Sequence, residues 1–163
     1  MDMSSHSDIL IIAPHPDDEI LGLGGTISKL SSQGHKVTIL TVSGHLPPLY
    51  KEEVFEEHKN QAIDAHKVVG AHKSIFLEIP ATFVKDQTVA ELNGKIYKVL
   101  KNTQPKIVFQ KDNKSSASSG AIGTSCWVSI VCFIDLIFQR GALAMNGAKV
   151  EISIVMIPEP TEA

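Results

Sequence analysis

The 163-residue sequence predicts an α/β fold, in which a mostly parallel β-sheet lies between two layers of helices. Two observations predict it. Short apolar runs rich in Val and Ile alternate along the chain with longer segments whose apolar residues recur at helical spacing. The order strand, helix, strand repeats through residues 8–110. Such an order places parallel strands in one sheet with helices on both faces.

The first strand and helix of this order show the clearest pattern. A strand is predicted at residues 8–14 and a helix at residues 19–33, and Gly34 is placed to end that helix. The apolar residues of the helix recur on one face, which we expect to pack against the sheet. They are Ile20, Leu23, Ile27 and Leu30.

Two more strands and a second helix follow. Strands are predicted at residues 36–43 and 74–79, and a helix at about residues 50–69, which stops before Gly70. The inner face of this helix is expected to consist of Phe55, Ala62, His66 and Val69.

The segment before Pro105 has the strongest start signal for a helix. Thr88 and Glu91 have the spacing of a capping box, in which each side chain bonds to the backbone N–H of the other residue. A fourth strand is predicted at residues 106–110. The apolar stripe of the helix is expected to consist of Val89, Leu92, Ile96, Val99 and Leu100.

Residues 111–163 differ in character from the rest. Residues 111–123 form a Ser-, Gly- and Lys-rich loop, residues 125–145 are almost all apolar or small and could form a buried helix, and residues 150–157 are predicted as a last strand. We therefore expect a single domain over residues 1–163 whose C-terminal part is atypical or truncated.

Charge and cysteine content exclude several classes of protein. A net charge of −3 offers no electrostatic attraction to nucleic acid or to an anionic membrane surface. The longest apolar run, residues 128–138, is shorter than the roughly 20 residues of a membrane span. Residues 1–7 lack the apolar core of a signal peptide, and Cys126 and Cys132 make no disulfide framework. We expect a cytoplasmic protein.

Ionisable residues crowd together where the first strand ends, in the stretch His15-Pro-Asp17-Asp18-Glu19. An imidazole and a carboxylate three residues apart can converge on one divalent cation, and zinc accepts such ligands. This assigns His15 and Asp18 as zinc ligands. Asp17 is then available as the general base toward a metal-bound water. Glu19 falls in the first helical turn, where the helix dipole favours a carboxylate.

The same stretch also has a purely structural interpretation. A histidine after a strand is often structural, and consecutive acidic residues are often a solvated helix start. However, three carboxylates and an imidazole this close together need a cation or several hydrogen bonds to compensate their repulsion. Because ligands bind at the carboxyl edge of open α/β sheets, the crowding favours a metal site.

A family resemblance is carried by residues 13–19, which read Ala-Pro-His-Pro-Asp-Asp-Glu, and by the following Gly22, Gly24 and Gly25. This pattern resembles the N-terminal signature of the PIG-L/LmbE-like family of zinc-dependent N-deacetylases. The resemblance covers residues 8–110. It implies a Rossmann-like three-layer sandwich, which agrees with the alternation of strands and helices.

The resemblance also implies a reaction and a site. It implies an enzyme that removes an acetyl group from a small-molecule amino sugar of the N-acetylglucosamine type. The His and the second Asp of the family's motif hold Zn²⁺ and the first Asp is the base, which implies these roles for His15, Asp18 and Asp17 respectively.

The chain departs from the family's pattern at two places. The family's second motif, His-x-Asp-His after the fourth strand, supplies a third zinc ligand, whereas residues 111–120 contain no histidine. His58 and Gln61 stand where the family commonly has Arg and Glu. Three explanations stay open: His45 or Asp112 completes the zinc sphere, the tail results from a frameshift or truncation, or catalysis has been lost and a sugar-binding or regulatory role kept.

His45 follows the second strand, at the same sheet edge as the motif. We expect it to contact the substrate, although a loop histidine without function is the plainer interpretation. A nucleotide-binding domain is a further hypothesis, which is disfavoured because Gly22-Leu-Gly24-Gly25 lacks the Gly-x-Gly-x-x-Gly spacing. The first prediction is therefore a zinc-dependent N-deacetylase, and the second is a catalytically impaired relative that binds sugar.

Overall fold

The structure is a computed structural model, and residues 6–111 and 151–155 are the part of the chain that it describes. Within this part, the strands are Asp8–Ala13 (β1), Lys36–Gly44 (β2), Lys73–Pro80 (β3), Ile107–Lys111 (β4) and Glu151–Val155 (β5). The α-helices are Asp18–Ser32 (α1), Glu52–Val68 (α2) and Val89–Thr103 (α3), and a short 3-10 helix, Ala81–Asp86, follows β3.

The sheet is parallel throughout, with the order β3-β2-β1-β4-β5. β1 lies near its centre, where Ile9 pairs with Val37 of β2 on one side and with Ile107 of β4 on the other. The chain runs outward from β1 through β2 and β3, and then crosses to the far side of β1 to form β4. This reversal is a topological switch point, where open α/β sheets bind ligands at the carboxyl ends of their strands.

Helices cover both faces of the sheet, because successive residues of a strand point to opposite faces. Leu10 and Ile12 of β1 pack in one apolar cluster with residues of α3 such as Ile96. Ile9 and Ile11 belong to a second cluster. That second cluster includes Ile27 and Leu30 of α1. The three-layer α/β architecture and the parallel sheet expected from the sequence are confirmed.

Most predicted elements lie within two residues of their observed limits. Gly34 and Gly70 follow α1 and α2 with positive φ angles of 84° and 78°, the left-handed conformation that glycine adopts readily at helix ends. Glu151–Val155 confirms the last strand. The 3-10 helix after β3 was not predicted, and the helix proposed for residues 125–145 lies outside the described residues.

The prediction that Val89 belongs to the buried stripe of α3 is wrong. Val89 is 57% exposed, at the first position of α3, whereas Leu92, Ile96, Val99 and Leu100 are buried as predicted. Periodicity identifies the face of a helix, but it does not show where the helix extends past the layer that it covers. None of the described helices combines the length with the apolar character that crossing a membrane requires.

Candidate active site

The motif lies in the loop between β1 and α1, at the carboxyl edge of the sheet. The carbonyl oxygen of Pro14 accepts hydrogen bonds from both the backbone N–H and the hydroxyl of Ser43 in β2, each at 2.8 Å. These two bonds tie the end of β1 to its neighbour. The loop that follows therefore starts from a fixed point beside the end of β2.

His15 and Asp18 face each other across this loop. The Nδ1 atom of His15 lies 3.4 Å from the Oδ2 atom of Asp18, and the same oxygen accepts a hydrogen bond of 3.2 Å from the backbone N–H of His15. Two ligand atoms bound to one tetrahedral zinc ion lie roughly 3.4 Å apart. The spacing and the chemistry of this pair are compatible with a zinc ion, and their role as zinc ligands stays a prediction.

Asp17 stands at the N-cap position of α1 but does not cap the helix. Its side chain makes no capping hydrogen bond, while its carbonyl oxygen accepts from the N–H groups of Ile20 and Leu21 at 3.0 Å and 2.9 Å. Burial, followed by the nearby carboxylates of Asp18 and Glu19, raises the pKa of Asp17 above its ordinary value. A carboxylate of this kind holds a proton more readily, which suits a general base.

Asp17 is one of the residues that line a cavity of about 390 Å³ between the motif loop and α2. This volume lies in the range of small-molecule sites. His15 and Asp18 do not line it. The polar residues that do are Asp17, Glu19, His45, His58 and Gln61, and apolar side chains such as Ile20 and Leu21 complete the wall.

His45 lies in this cavity, directly after β2, and is joined to His58 of α2. The two Nδ1 atoms are 3.0 Å apart, so that one of them donates the hydrogen and the other accepts. Burial and then the neighbouring imidazoles of His58 and His15 lower the pKa of His45. His45 is therefore a neutral hydrogen-bonding group near neutral pH.

His58 also lines the cavity, a position to which the sequence analysis assigned no role. His58, Gln61, Ala62 and Ala65 all line the cavity from α2. Their spacing of three, four and seven residues puts them on one helical face. The same spacing is visible in the sequence, but two of the four residues are polar, so they do not form the apolar stripe by which a buried helix face is recognised.

Glu19 also differs from its expected role. Instead of remaining at the exposed helix terminus it is only 2% exposed, and its Oε1 atom lies 2.9 Å from Nε2 of the equally buried His66. His66 is on the inner face of α2, as predicted. No local signal connects these residues, which are 47 positions apart.

The set of metal-binding side chains is only partly assembled. Among residues 6–111, no three His, Cys, Asp or Glu side chains come together as a metal site. His45 is therefore not brought into the pair formed by His15 and Asp18. Asp112, the other candidate for a third ligand, lies outside the described residues.

Known proteins resemble this chain in sequence and in fold. Diacetylchitobiose deacetylase of Thermococcus kodakarensis is 34% identical over 116 residues, which are 64% of this chain and 40% of that protein. The chain thus spans less than half of this relative's length.

Two solved structures show the same fold. N,N'-diacetylchitobiose deacetylase of Pyrococcus horikoshii, in complex with its inhibitor, has a TM-score of 0.71 and 20% identity, over 93% of this chain and 61% of its own. GalB, the 4-carboxy-2-hydroxymuconate hydratase of Pseudomonas putida, has a TM-score of 0.65 and 15% identity, over 91% and 63%. Because one is a deacetylase and the other a hydratase, the fold by itself does not define the reaction.

A family assignment follows from the sequence match. Residues 10–120 match the sequence model of the family described as PIG-L, GlcNAc-PI de-N-acetylase. The matched residues make up more than half of the chain and include the motif, the residues that line the cavity, most of β1 and all of β2 to β4. The chain belongs to the PIG-L family.

Proposed function

We propose that this chain removes the acetyl group from an N-acetylated amino sugar of the N-acetylglucosamine type. The observation that carries the proposal is the position of Asp17, which lines a cavity, makes no side-chain capping bond and is adjacent to the pair of His15 and Asp18. The deacetylase activity named for the relative from Thermococcus supports it. The reported relatives are enzymes, so they give no support to an impaired sugar-binding role.

His15 and Asp18 would hold a zinc ion, since their donor atoms have a suitable spacing. A zinc ion there would supply a water that ionises near neutral pH and would polarise the acyl oxygen of the amide. Asp18 contributes a negative charge and His15 a neutral nitrogen, which suits a divalent cation.

Asp17 would act as the base. Its carboxylate takes the proton of the attacking water, and the same factors that raise its pKa, burial and the repulsion of Asp18 and Glu19, stabilise the protonated form. Once protonated, Asp17 can return the proton to the departing nitrogen. The reaction then leaves acetate and a free amino sugar.

His45 and His58 would bind the sugar. The two imidazoles share one hydrogen bond through their Nδ1 atoms, so each ring keeps its Nε2 atom for a further hydrogen bond. Sugar hydroxyl groups both donate and accept. The pair therefore suits a neutral sugar held against the Asp17 side of the cavity.

The test is acetate release from N-acetylglucosamine and from N,N'-diacetylchitobiose with added zinc. Asp17→Ala is expected to lower the rate by about 10²- to 10⁴-fold, the usual contribution of a general base. Asp64→Asn, at an exposed residue of α2, serves as the matched control. If the wild-type protein releases no acetate, or if Asp17→Ala releases it at the wild-type rate, the proposal is wrong.

A further inference from the structure

Glu19 and His66 are buried ionisable residues that neither bind the substrate nor transfer a proton in the proposed catalytic steps. Their side chains are 0% and 2% exposed, and the Nε2 atom of His66 donates to the Oε1 atom of Glu19 at 2.9 Å. On its other side, the Nδ1 atom of His66 lies 2.7 Å from the hydroxyl oxygen of Ser74 in β3. Buried groups of this kind are tolerated only with partners, and these partners come from three different elements.

The second oxygen of Glu19 connects this chain of hydrogen bonds to the motif. Its Oε2 atom accepts a bond of 3.3 Å from the backbone N–H of Asp17. Asp17 has a φ angle of 119°, a conformation that residues other than glycine rarely adopt. Such a backbone persists only where the surrounding structure holds it in place.

The orientation of His66 is also fixed. Both of its ring nitrogens are engaged, and its ring stacks on that of Phe76, with centroids 6.3 Å apart and an angle of 14° between the planes. A carboxylate can only accept hydrogen bonds, so Nε2 carries the hydrogen and Nδ1 accepts one from the Ser74 hydroxyl in the neutral tautomer. His66 thereby fixes the position of the Glu19 carboxylate.

We infer that the pair of Glu19 and His66 is a positioning device for Asp17. Glu19 fixes the backbone of the proposed base, and His66 fixes Glu19. This inference rests on the proposed function for the identity of the base. The hydrogen bonds on which it depends run through the backbone, so a change at Glu19 moves Asp17 without removing its carboxylate.

The experiment separates positioning from stability. The double variant Glu19→Leu, His66→Leu replaces a buried pair by apolar side chains, a change that proteins often accept without loss of stability. We expect a folded protein in which kcat for N,N'-diacetylchitobiose falls by about 10- to 100-fold while KM changes little. Hydrogen exchange of the Asp17 amide, measured by NMR, should accelerate about tenfold, the effect of one lost hydrogen bond.

The conservative variant Glu19→Gln should restore most of the activity. Its carbonyl oxygen can still accept from the Asp17 N–H, and its amide can donate to Nε2 once His66 adopts the other tautomer. A kcat for Glu19→Gln as low as that of the double variant would contradict the hydrogen-bond account. Asp64→Asn, on the exposed face of the same helix, is the control and should change neither measurement.

Two further results make the outcome unambiguous. If the double variant does not fold, Ser74→Ala replaces it, because it removes only the far end of the chain of bonds; exchange of the Asp17 amide should then accelerate about threefold. Should the wild-type protein release no acetate, the exchange measurement still decides the inference. Wild-type exchange and wild-type kcat in a folded double variant would show that the pair only stabilises the core.

Discussion

Helices α1 and α3 both begin with acidic residues in their first turn, but they use them in opposite ways. At α3, Thr88 and Glu91 form the full capping box: the hydroxyl of Thr88 accepts from the N–H of Glu91 at 3.2 Å, and the carboxylate of Glu91 accepts from the N–H of Thr88 at 3.1 Å. At α1, the carboxylate of Glu19 accepts from the N–H of Asp17, but the side chain of Asp17 itself makes no capping bond and its backbone has a strained φ of 119°.

The carboxylates at the start of α1 mostly contact residues outside their own helix, although Glu19 also accepts a hydrogen bond from the backbone N–H of Asp17. Asp18 contacts His15, Glu19 contacts His66, and Asp17 lines the cavity. A cap whose side chain serves the helix N–H groups contributes stability, whereas Asp17 gives up that contribution and keeps its carboxylate out of capping bonds. The comparison therefore predicts that changes at the two termini separate activity from stability.

The largest effect is expected for Asp17→Gly. Loss of the proposed base should lower acetate release by about 10²- to 10⁴-fold. Glycine relieves a backbone strain of about 1–3 kcal/mol, offset by its own greater chain entropy of about 0.5–1 kcal/mol, so the free energy of unfolding should rise by about 1 kcal/mol. Urea unfolding and the acetate assay check the two parts; a less stable variant would show that the strain is not there.

The next largest effect is expected when only one member of the buried pair is removed. His66→Leu leaves the Oε1 atom of the Glu19 carboxylate buried without its partner, which should cost about 3–5 kcal/mol in the free energy of unfolding. In the double variant with Glu19→Leu most of this loss should disappear. Urea unfolding of the two proteins measures the difference, and equal losses would mean that the pair is not coupled.

A smaller effect, on stability and not on activity, is expected at α3. Thr88→Ala removes the cap and should lower the free energy of unfolding by about 1 kcal/mol. Acetate release should remain at the wild-type rate, because the capping box is far from the cavity in sequence and shares no residue with it. A variant of wild-type stability would show that the box contributes nothing, and a loss of activity would connect α3 to the site.

The smallest effect concerns the pH dependence of the same box. Hydrogen bonds from Thr88 hold the pKa of Glu91 below its ordinary value of 4.5. Because the folded-state pKa is lowered, the carboxylate stabilises the fold above that value, and the contribution is lost as pH falls through the lowered pKa. Melting temperatures measured from neutral into acid pH should fall less steeply for Glu91→Gln than for the wild-type protein.

Much of the architecture was predictable because it depends on local spacing. The β-branched runs, the helical stripes and the glycines after α1 and α2 are each contained within one element, and so is the capping box of Thr88 and Glu91. The pair of His15 and Asp18 belongs to the same class, since a loop of four residues brings the two side chains together without help from elsewhere. Their catalytic roles, and that of Asp17, stay predictions.

Contacts between distant residues could not be predicted in this way. The sequence correctly places Glu19 in the first turn of α1, but it does not show that α2 covers this residue. Because Glu19 is buried there, its carboxylate contacts His66 instead of solvent. His58 enters the cavity only because α2 lies across the end of β2, where His45 emerges.

The periodicity of apolar residues and the residues of turns depend on positions close together in the sequence. The sequence alone was therefore enough to predict the strands, the helices and the proximity of His15 and Asp18. Which polar side chains are buried, and against which partners, depends on how the layers stack. The packing of the layers brings together residues that are dozens of positions apart in the sequence, and no local sequence pattern shows which of them will be in contact.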